Sequence, residues 1–411
     1  MKVTHICTSF SGGAGICASR ILQATAKRGI EAKAIVAEGF ANDTTEVIKP
    51  RVTWSDRWAI QKLQSLLAIA GMGPKALQLV KRIEREQRKT RELCCFTSPV
   101  TGYTNLPHHP WIEDADVIHL HWVGGFLDYE SFFCTVKKPI VWTIHDENPG
   151  LGGFHYSSWK QHAPKSFQHL DDALMKRKSK AYSMVKDMTL VAISNQMDDY
   201  FKMSPLLQRF PRTIIHNGID GQQFRPIARE LAKDILGIPQ ENTVFLFAAQ
   251  NIHEERKGLK ELLSALTSLN IPRTTLICLG QYQEVPKAPF EVRCEGFIPN
   301  SRLQSLYYSA ANFFMMPSFQ EAFAQAPMEA MACGTPVIAF PCSGTDSLIN
   351  EGNGIVCHDF TVDSLVESIQ AAREIPFDSM AIRRDVLERF SYDKIAEQYL
   401  DLYHQIQQGN H

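Results

Sequence analysis

The chain has 411 residues and a formal charge of −1, from 43 Lys+Arg against 44 Asp+Glu. That length exceeds one ordinary core and sets an expectation of two domains of about 200 residues. Hydrophobic residues at 44% and charged residues at 21% exclude a mainly disordered chain, and the balanced charge gives no global field for nucleic acid or acidic partners.

The amino terminus, MKVTHICTSFSGG, reads as a strand running into a glycine turn. It lacks the longer apolar block and small-residue cleavage site of a signal peptide. Val3–Thr8 is the first predicted strand, Ser11–Gly15 the turn, Ala18–Arg28 a helix and Ala34–Ala37 the second strand. Between Arg51 and Glu92 stand ten Lys/Arg and four Asp/Glu, a net of +6. Trp54, Trp58, Ile60, Leu63, Leu66, Leu67 and Ile69 are spaced for one helix face there, and a basic second helix follows Gly71–Pro74. Two readings stay open: surface helices packed on the domain, or an interfacial helix meeting anionic lipid.

Val117–Leu120, Ile140–Ile144, Leu190–Ile193 and Thr213–Ile215 complete a first series of short apolar strands of the kind buried in parallel sheets. After a break near Asp220–Pro226, a second series follows at Val244–Ala248, Thr275–Leu279, Phe313–Met316, Pro336–Ala339 and Gly354–Val356. Leu259–Leu269, Ser301–Ala310, Ala326–Ala332 and Ser364–Ala372 carry helical periodicity between them, and Tyr392–Gln407 is a final helix. Strand–helix alternation in two blocks predicts an α/β chain of two doubly wound, Rossmann-like domains. The expected divisions are 1–222, with the basic insertion at about 51–92, then 223–390, then a carboxyl-terminal helix over 391–411 that packs back towards the first domain. No run of about 18 apolar residues predicts a spanning helix. The ten cysteines are scattered, without a CxxC pair or zinc-like histidine spacing, which fits reduced, packing cysteines in a cytoplasmic protein.

Three stretches carry chemistry. Gly12 and Gly13 follow the first strand, where glycine lets backbone approach a ligand and helix-start amides suit phosphate. Alone the motif is weak, and it is not the spaced GxGxxG of nicotinamide sites. Glu321 and Glu329 are separated by seven residues in PSFQEAFAQAPMEAMACGTP, the first in a loop after a strand and the second inside the following helix. A carboxylate there can accept a pair of ribose hydroxyls while nearby amides face phosphate. Taken singly, these would be surface glutamates on an ordinary βαβ unit. His145, in TIHDENPGLGGFHY, ends a strand on the side where parallel sheets bind ligands.

Together these stretches resemble the retaining glycosyltransferases of family 4, with their E-x7-E signature and GT-B fold. NIHEERKG (Asn251 to Gly258) is similar to the family's phosphate-binding loop, and Lys257 matches its lysine. Many members carry an arginine earlier in that loop, where this chain has Ala249-Gln250-Asn251; Arg256 is the expected second positive charge. The family's E-x-F-G reads Glu321-Ala322-Phe323-Ala324 here, tolerable if φ at the alanine stays negative. The segment His145–Tyr156 resembles members from bacterial surface-polysaccharide pathways.

The resemblance implies two domains facing a cleft and transfer of a sugar, with retention, from a nucleotide-sugar to a glycan or lipid-linked oligosaccharide. His145, Lys257 and Glu321 are the expected catalytic groups. Gly12, Gly13, Arg256, Lys257, Phe323, Ala324 and Glu329 are the expected donor-binding residues. No DxD run sits at a strand end, so a metal-independent reaction without a cofactor is expected. Cytoplasmic location follows, with peripheral membrane contact through 51–92 if the acceptor is lipid-linked. The rival readings are a non-retaining enzyme or an epimerase on the same fold, and a non-catalytic sugar-nucleotide-binding subunit.

Overall fold

The computed structural model describes residues 1–49 and 96–409; the basic segment 51–92 lies outside them. The chain divides into two compact units. Unit 1 holds Met1–Ile193, Met197–Ile215 and Glu397–His411, and unit 2 holds Ser194–Gln196 and His216–Ala396.

In unit 1 the strands are β1 (Lys2–Ser9), β2 (Glu31–Glu38), β3 (Thr45–Val47), β4 (Val117–Leu120), β5 (Ile140–Ile144), β6 (Met188–Ala192) and β7 (Arg212–Ile214). They form one sheet in the order β3-β2-β1-β4-β5-β6-β7, with parallel neighbours throughout. β4, β5 and β6 are buried along their whole length, which explains their continuous apolar runs.

Unit 2 contains β8 (Thr243–Asn251), β9 (Thr274–Gln281), β10 (Glu291–Gly296), β11 (Phe313–Met316), β12 (Val337–Ala339) and β13 (Gly354–Val356). The parallel order is β10-β9-β8-β11-β12-β13. Its core packs Phe245, Leu276, Met315 and Ile338 of the sheet against Leu262 and Leu266 of the Leu259–Leu269 helix and Leu365 and Ile369 of the Val362–Glu374 helix. Each such side chain contributes roughly 1.5–3 kcal/mol by leaving water.

Both sheets are thus doubly wound, with connections running outward in opposite directions from β1 and β4 in unit 1 and from β8 and β11 in unit 2. Ligands of such sheets bind at the carboxyl ends of the strands flanking this reversal. Two strands escape the sequence pattern. β10 is an edge strand with no fully buried residue, and β3 has three residues. The first helix spans Gly12–Ala26 rather than Ala18–Arg28, so the glycines lie in its opening turn and not in a loop ahead of it. Among the described residues no helix is long and apolar enough to cross a membrane.

Candidate functional site

In unit 2 the reversal lies between β8 and β11, and the loops leaving these strands carry Arg256-Lys257-Gly258 and Pro317–Ala324. Gly258 has φ of +74°, and a Cβ built on it would stand 1.9 Å from the carbonyl oxygen of Pro317. Glycine is therefore what lets the two loops touch. The Phe319 amide donates to the Arg256 carbonyl at 2.8 Å, and Arg256 Nη1 donates to the Gln320 carbonyl at 3.1 Å. The β8 loop is thereby strapped to the β11 loop.

Within that strap Lys257 Nζ donates to Glu321 Oε1, and Arg256 Nη1 lies 3.7 Å from the same oxygen. The Lys257 and Glu321 side chains are 15% and 12% exposed. Burial alone would raise the Glu321 carboxyl; the charges of Lys257 and Arg256 outweigh it and hold the group below the ordinary carboxylate range. The result is a carboxylate pinned beside two cations at the mouth of the sheet.

Glu329 is the fifth residue of the Gln325–Ala332 helix and is 9% exposed. Its Oε2 accepts a hydrogen bond from the Tyr308 hydroxyl at 2.9 Å. Tyr308, from the Ser301–Ala310 helix, is itself held where its carbonyl accepts from Thr335 Oγ1 at 2.6 Å. Sequence reasoning missed Tyr308. The signal was a tyrosine on a helix otherwise facing an apolar sheet, whose hydroxyl needs a partner when buried.

Ala324 caps the Gln325–Ala332 helix with φ of −73°, so alanine replaces glycine here without backbone strain. The Phe323 ring is buried, 5.1 Å from the His216 ring and 5.8 Å from Phe390. Its carbonyl accepts from Asn217 Nδ2 at 3.3 Å. The ring is thus committed to packing, and any contact with a ligand falls to backbone.

In unit 1 the reversal lies between β1 and β4. Gly12 has φ of +69°, and Gly12 and Gly13 would meet nothing within 4 Å among the described residues if they bore a Cβ. Gly15 differs: its Cβ would lie 2.3 Å from the Ser9 carbonyl, so that glycine serves helix-to-strand packing.

His145 leaves β5 and lines a recess with Asp146, Trp122, Tyr129 and Asn148. Burial lowers its pKa to about 4, against an opposing pull from Asp146, so the imidazole is neutral at pH 7. Its Nε2 is buried without a hydrogen-bond partner among the described residues. Asp146 is a hub: it accepts from Trp122 Nε1 at 2.9 Å, the Asn148 amide at 3.0 Å and His155 Nδ1 at 2.6 Å. Burial would raise this carboxyl, and the His155 contact with the other bonds brings it below the usual range. Trp122 was not singled out by sequence; His155 lies inside the TIHDENPGLGGFHY stretch, where sequence gave it no role of its own.

Beside the recess lies a layer of buried histidines. His5 Nδ1 and His121 Nε2 are 2.9 Å apart. His119 contacts the Tyr403 hydroxyl at 2.6 Å through Nδ1 and Thr143 Oγ1 at 2.8 Å through Nε2. One ring nitrogen from each histidine falls within 4.8 Å of the others, yet the set suits a metal poorly. A cation between His5 Nδ1 and His121 Nε2 would turn His5 Nε2 and His121 Nδ1, both buried without partners among the described residues, into two unsatisfied N–H donors. Metal-bound imidazoles need acceptors at that second nitrogen. Sharing one hydrogen bond leaves a single such donor.

The structure therefore brings Arg256, Lys257, Glu321, Phe323, Ala324 and Glu329 into unit 2, and Gly12, Gly13 and His145 into unit 1.

Residues 228–386 match the family model described as glycosyl transferases group 1. The chain is 26% identical over 219 residues to D-inositol 3-phosphate glycosyltransferase 1 of Catenulispora acidiphila, covering 47% of this chain and 52% of that protein. It is 24% identical over 336 residues to alpha-maltose-1-phosphate synthase of Mycolicibacterium smegmatis, covering 72% and 80%. The match thus spans about half the length of the first relative. Among solved structures it is similar to HepE of Anabaena in complex with UDP-glucose, at 16% identity and a TM-score of 0.66, covering 98% of this chain and 100% of that one. At that identity the likeness is one of fold, two Rossmann-like domains of the GT-B type.

Proposed function

We propose that the chain is a retaining glycosyltransferase, moving a sugar from a nucleoside-diphosphate sugar to a hydroxyl of a glycan or lipid-linked oligosaccharide. The observation that carries this reading is the Lys257–Glu321 pair with Arg256 at the sheet reversal of unit 2, inside the residues that match the group 1 model. The names of the two relatives and the UDP-glucose in HepE support it. So does the resemblance of His145–Tyr156 to surface-polysaccharide enzymes, which favours a bacterial glycan acceptor.

As the sugar departs, its anomeric carbon gains positive charge and the nucleoside diphosphate gains negative charge. Lys257 and Arg256 meet the diphosphate with fixed cations that need no reorganisation. Glu321 orients Lys257 and accepts from sugar hydroxyls; Glu329 accepts from the ribose hydroxyls. In unit 1, Gly12 and Gly13 offer amides to phosphate, and neutral His145 offers Nε2 to a sugar hydroxyl.

A thermal-shift screen of nucleoside-diphosphate sugars followed by an assay of nucleoside-diphosphate release tests the proposal. One donor should stabilise the protein and be turned over, and Lys257→Ala and Glu329→Ala should each abolish turnover. Full activity in either variant would overturn the site assignment. Binding without turnover in the presence of acceptor extracts would favour a binding subunit.

A further inference from the structure

Unit 1 carries a lysine in its core. Lys178, in the middle of the Lys165–Ser183 helix, is 1% exposed. Its Nζ donates to the carbonyl and the side-chain Oδ1 of Asn148, at 2.5 and 3.2 Å, and lies 5.1 Å from the centroid of the Tyr129 ring. No carboxylate pairs with it directly among the described residues; Asp171 and Asp146 act from farther away, and burial brings the ammonium down to about 7. A buried cation so placed costs stability relative to an apolar residue of similar length. Its geometry shows what that cost secures.

Both acceptors belong to Asn148, the keystone of the His145–Tyr156 segment. The Asn148 amide donates to Asp146 Oδ1 at 3.0 Å, and its Nδ2 donates to the carbonyls of Gly153 and Phe154 at 3.0 and 2.9 Å. In its ammonium form Lys178 can only donate, which matches the amide oxygen facing it and Nδ2 facing those carbonyls. Four residues along the same helix, the Tyr182 hydroxyl donates to the Pro149 carbonyl at 2.8 Å. One helix thus grips consecutive residues of the turn that follows His145 and Asp146.

We propose that Lys178 is a positioning residue: through Asn148 it holds His145 and Asp146 in the recess they line. The proposal rests on the glycosyl-transfer reading above.

The test uses full-length protein, with the nucleoside-diphosphate sugar chosen by the thermal-shift screen and nucleoside-diphosphate release as readout. Lys178→Met should lower kcat about tenfold or more with donor KM changed less than about threefold, as misplacement of a reacting group does. In a His145→Ala background the same substitution should cost less than about threefold, because the residue it positions is gone. Equal losses in both backgrounds, or a wild-type rate for Lys178→Met, would overturn the proposal. If Lys178→Met fails to fold by circular dichroism, Asn148→Ala takes its place with the same expectations. A second readout is independent of turnover. In protein with carbon-13-labelled histidine, assigned by His145→Ala, the His145 resonance should move in Lys178→Met, and an unmoved resonance sinks the idea. Absence of turnover in wild type, by contrast, would count against the glycosyl-transfer reading and leave that resonance to decide on Lys178.

Discussion

Lys257 reaches Glu321 across 64 positions of sequence, and the contact depends on the residue after the lysine. Gly258 sits where any Cβ would press on the Pro317 carbonyl, in a conformation with φ of +74°. The R-K-G tripeptide is therefore two cations and a hinge that lays them against the β11 loop.

Gly258→Ala should cost about 2–4 kcal/mol, combining left-handed backbone strain with a clash against main chain that has no flexible end to yield. Urea unfolding measures this. Donor binding should weaken in parallel, since Lys257 can no longer reach Glu321. A variant as stable as wild type would mean that the two loops are not held in contact.

Lys257→Met leaves the Glu321 carboxylate largely buried, with Arg256, at 3.7 Å, as the remaining cation beside it among the described residues. Its pKa should then rise, because burial pushes it up and the larger opposing charge is lost. A depressed folded pKa gives stability that is present above the ordinary carboxyl value of 4.5 and fades as pH falls through the folded value. The variant should lose about 1–3 kcal/mol at neutral pH, and its deficit against wild type should shrink as pH falls, because the folded variant takes up a proton on Glu321 more readily than the folded wild type does. Adding Glu321→Gln should recover part of the loss, the non-additivity of a direct pair. Urea midpoints at about pH 7 and pH 5 for the four proteins of the cycle check this, and strictly additive values would refute it.

Tyr308→Phe removes one hydroxyl, 2.9 Å from Glu329 Oε2. Stability should drop by about 1 kcal/mol. If Glu329 receives ribose, affinity for a nucleoside diphosphate should fall about three- to tenfold, while affinity for its 2′,3′-dideoxy analogue hardly changes. Calorimetric titration of both ligands makes the comparison, and equal losses on the two would separate Tyr308 from ribose recognition.

The sequence was most legible where one strand or loop carries its own pattern. β4, β5, β11 and β13 are found where buried apolar runs place them, and Leu259–Leu269 and Tyr392–Gln407 where helical periodicity does. β10 was hidden because an edge strand reading EVRCEG buries too little to show an apolar run. The start of the first helix was misplaced because Gly12 and Gly13 read as breakers, although a helix's opening turn tolerates them. At the site, Arg256, Lys257, Glu321 and Glu329 were legible from spacing and family resemblance. Tyr308, Lys178 and the histidine layer were not, since their meaning comes from partners far along the chain. His119 and Tyr403 lie 284 positions apart. One clue was present: His119 on an otherwise apolar strand and His121 just beyond its end are two residues apart, a spacing that turns both to one side and requires polar company inside.

That layer sets the protein's response to acid. Burial lowers His5 to about 3 and His145 to about 4, and drives His119 and His121 well below their ordinary value of 6.5. Unfolded, each histidine takes a proton near pH 6.5; folded, each stays neutral until far lower pH. The unfolded state therefore binds more protons as pH falls, and stability declines from about pH 6.5 downward by about 1.4 kcal/mol per pH unit for each fully shifted histidine. His5 and His121 bond to each other at 2.9 Å, and their remaining ring nitrogens are buried without partners among the described residues. His5→Leu alone leaves His121 with neither nitrogen paired to His5 and should cost about 1–3 kcal/mol at about pH 7.5. His5→Leu with His121→Leu removes both orphans, so the double variant should be more stable than the two single losses imply. It should also flatten the acid slope between about pH 6.5 and pH 5 by about 2–3 kcal/mol per pH unit. Urea unfolding across that range decides the matter: an unchanged slope would mean that these imidazoles are protonated in the folded protein, and that the layer is not neutral.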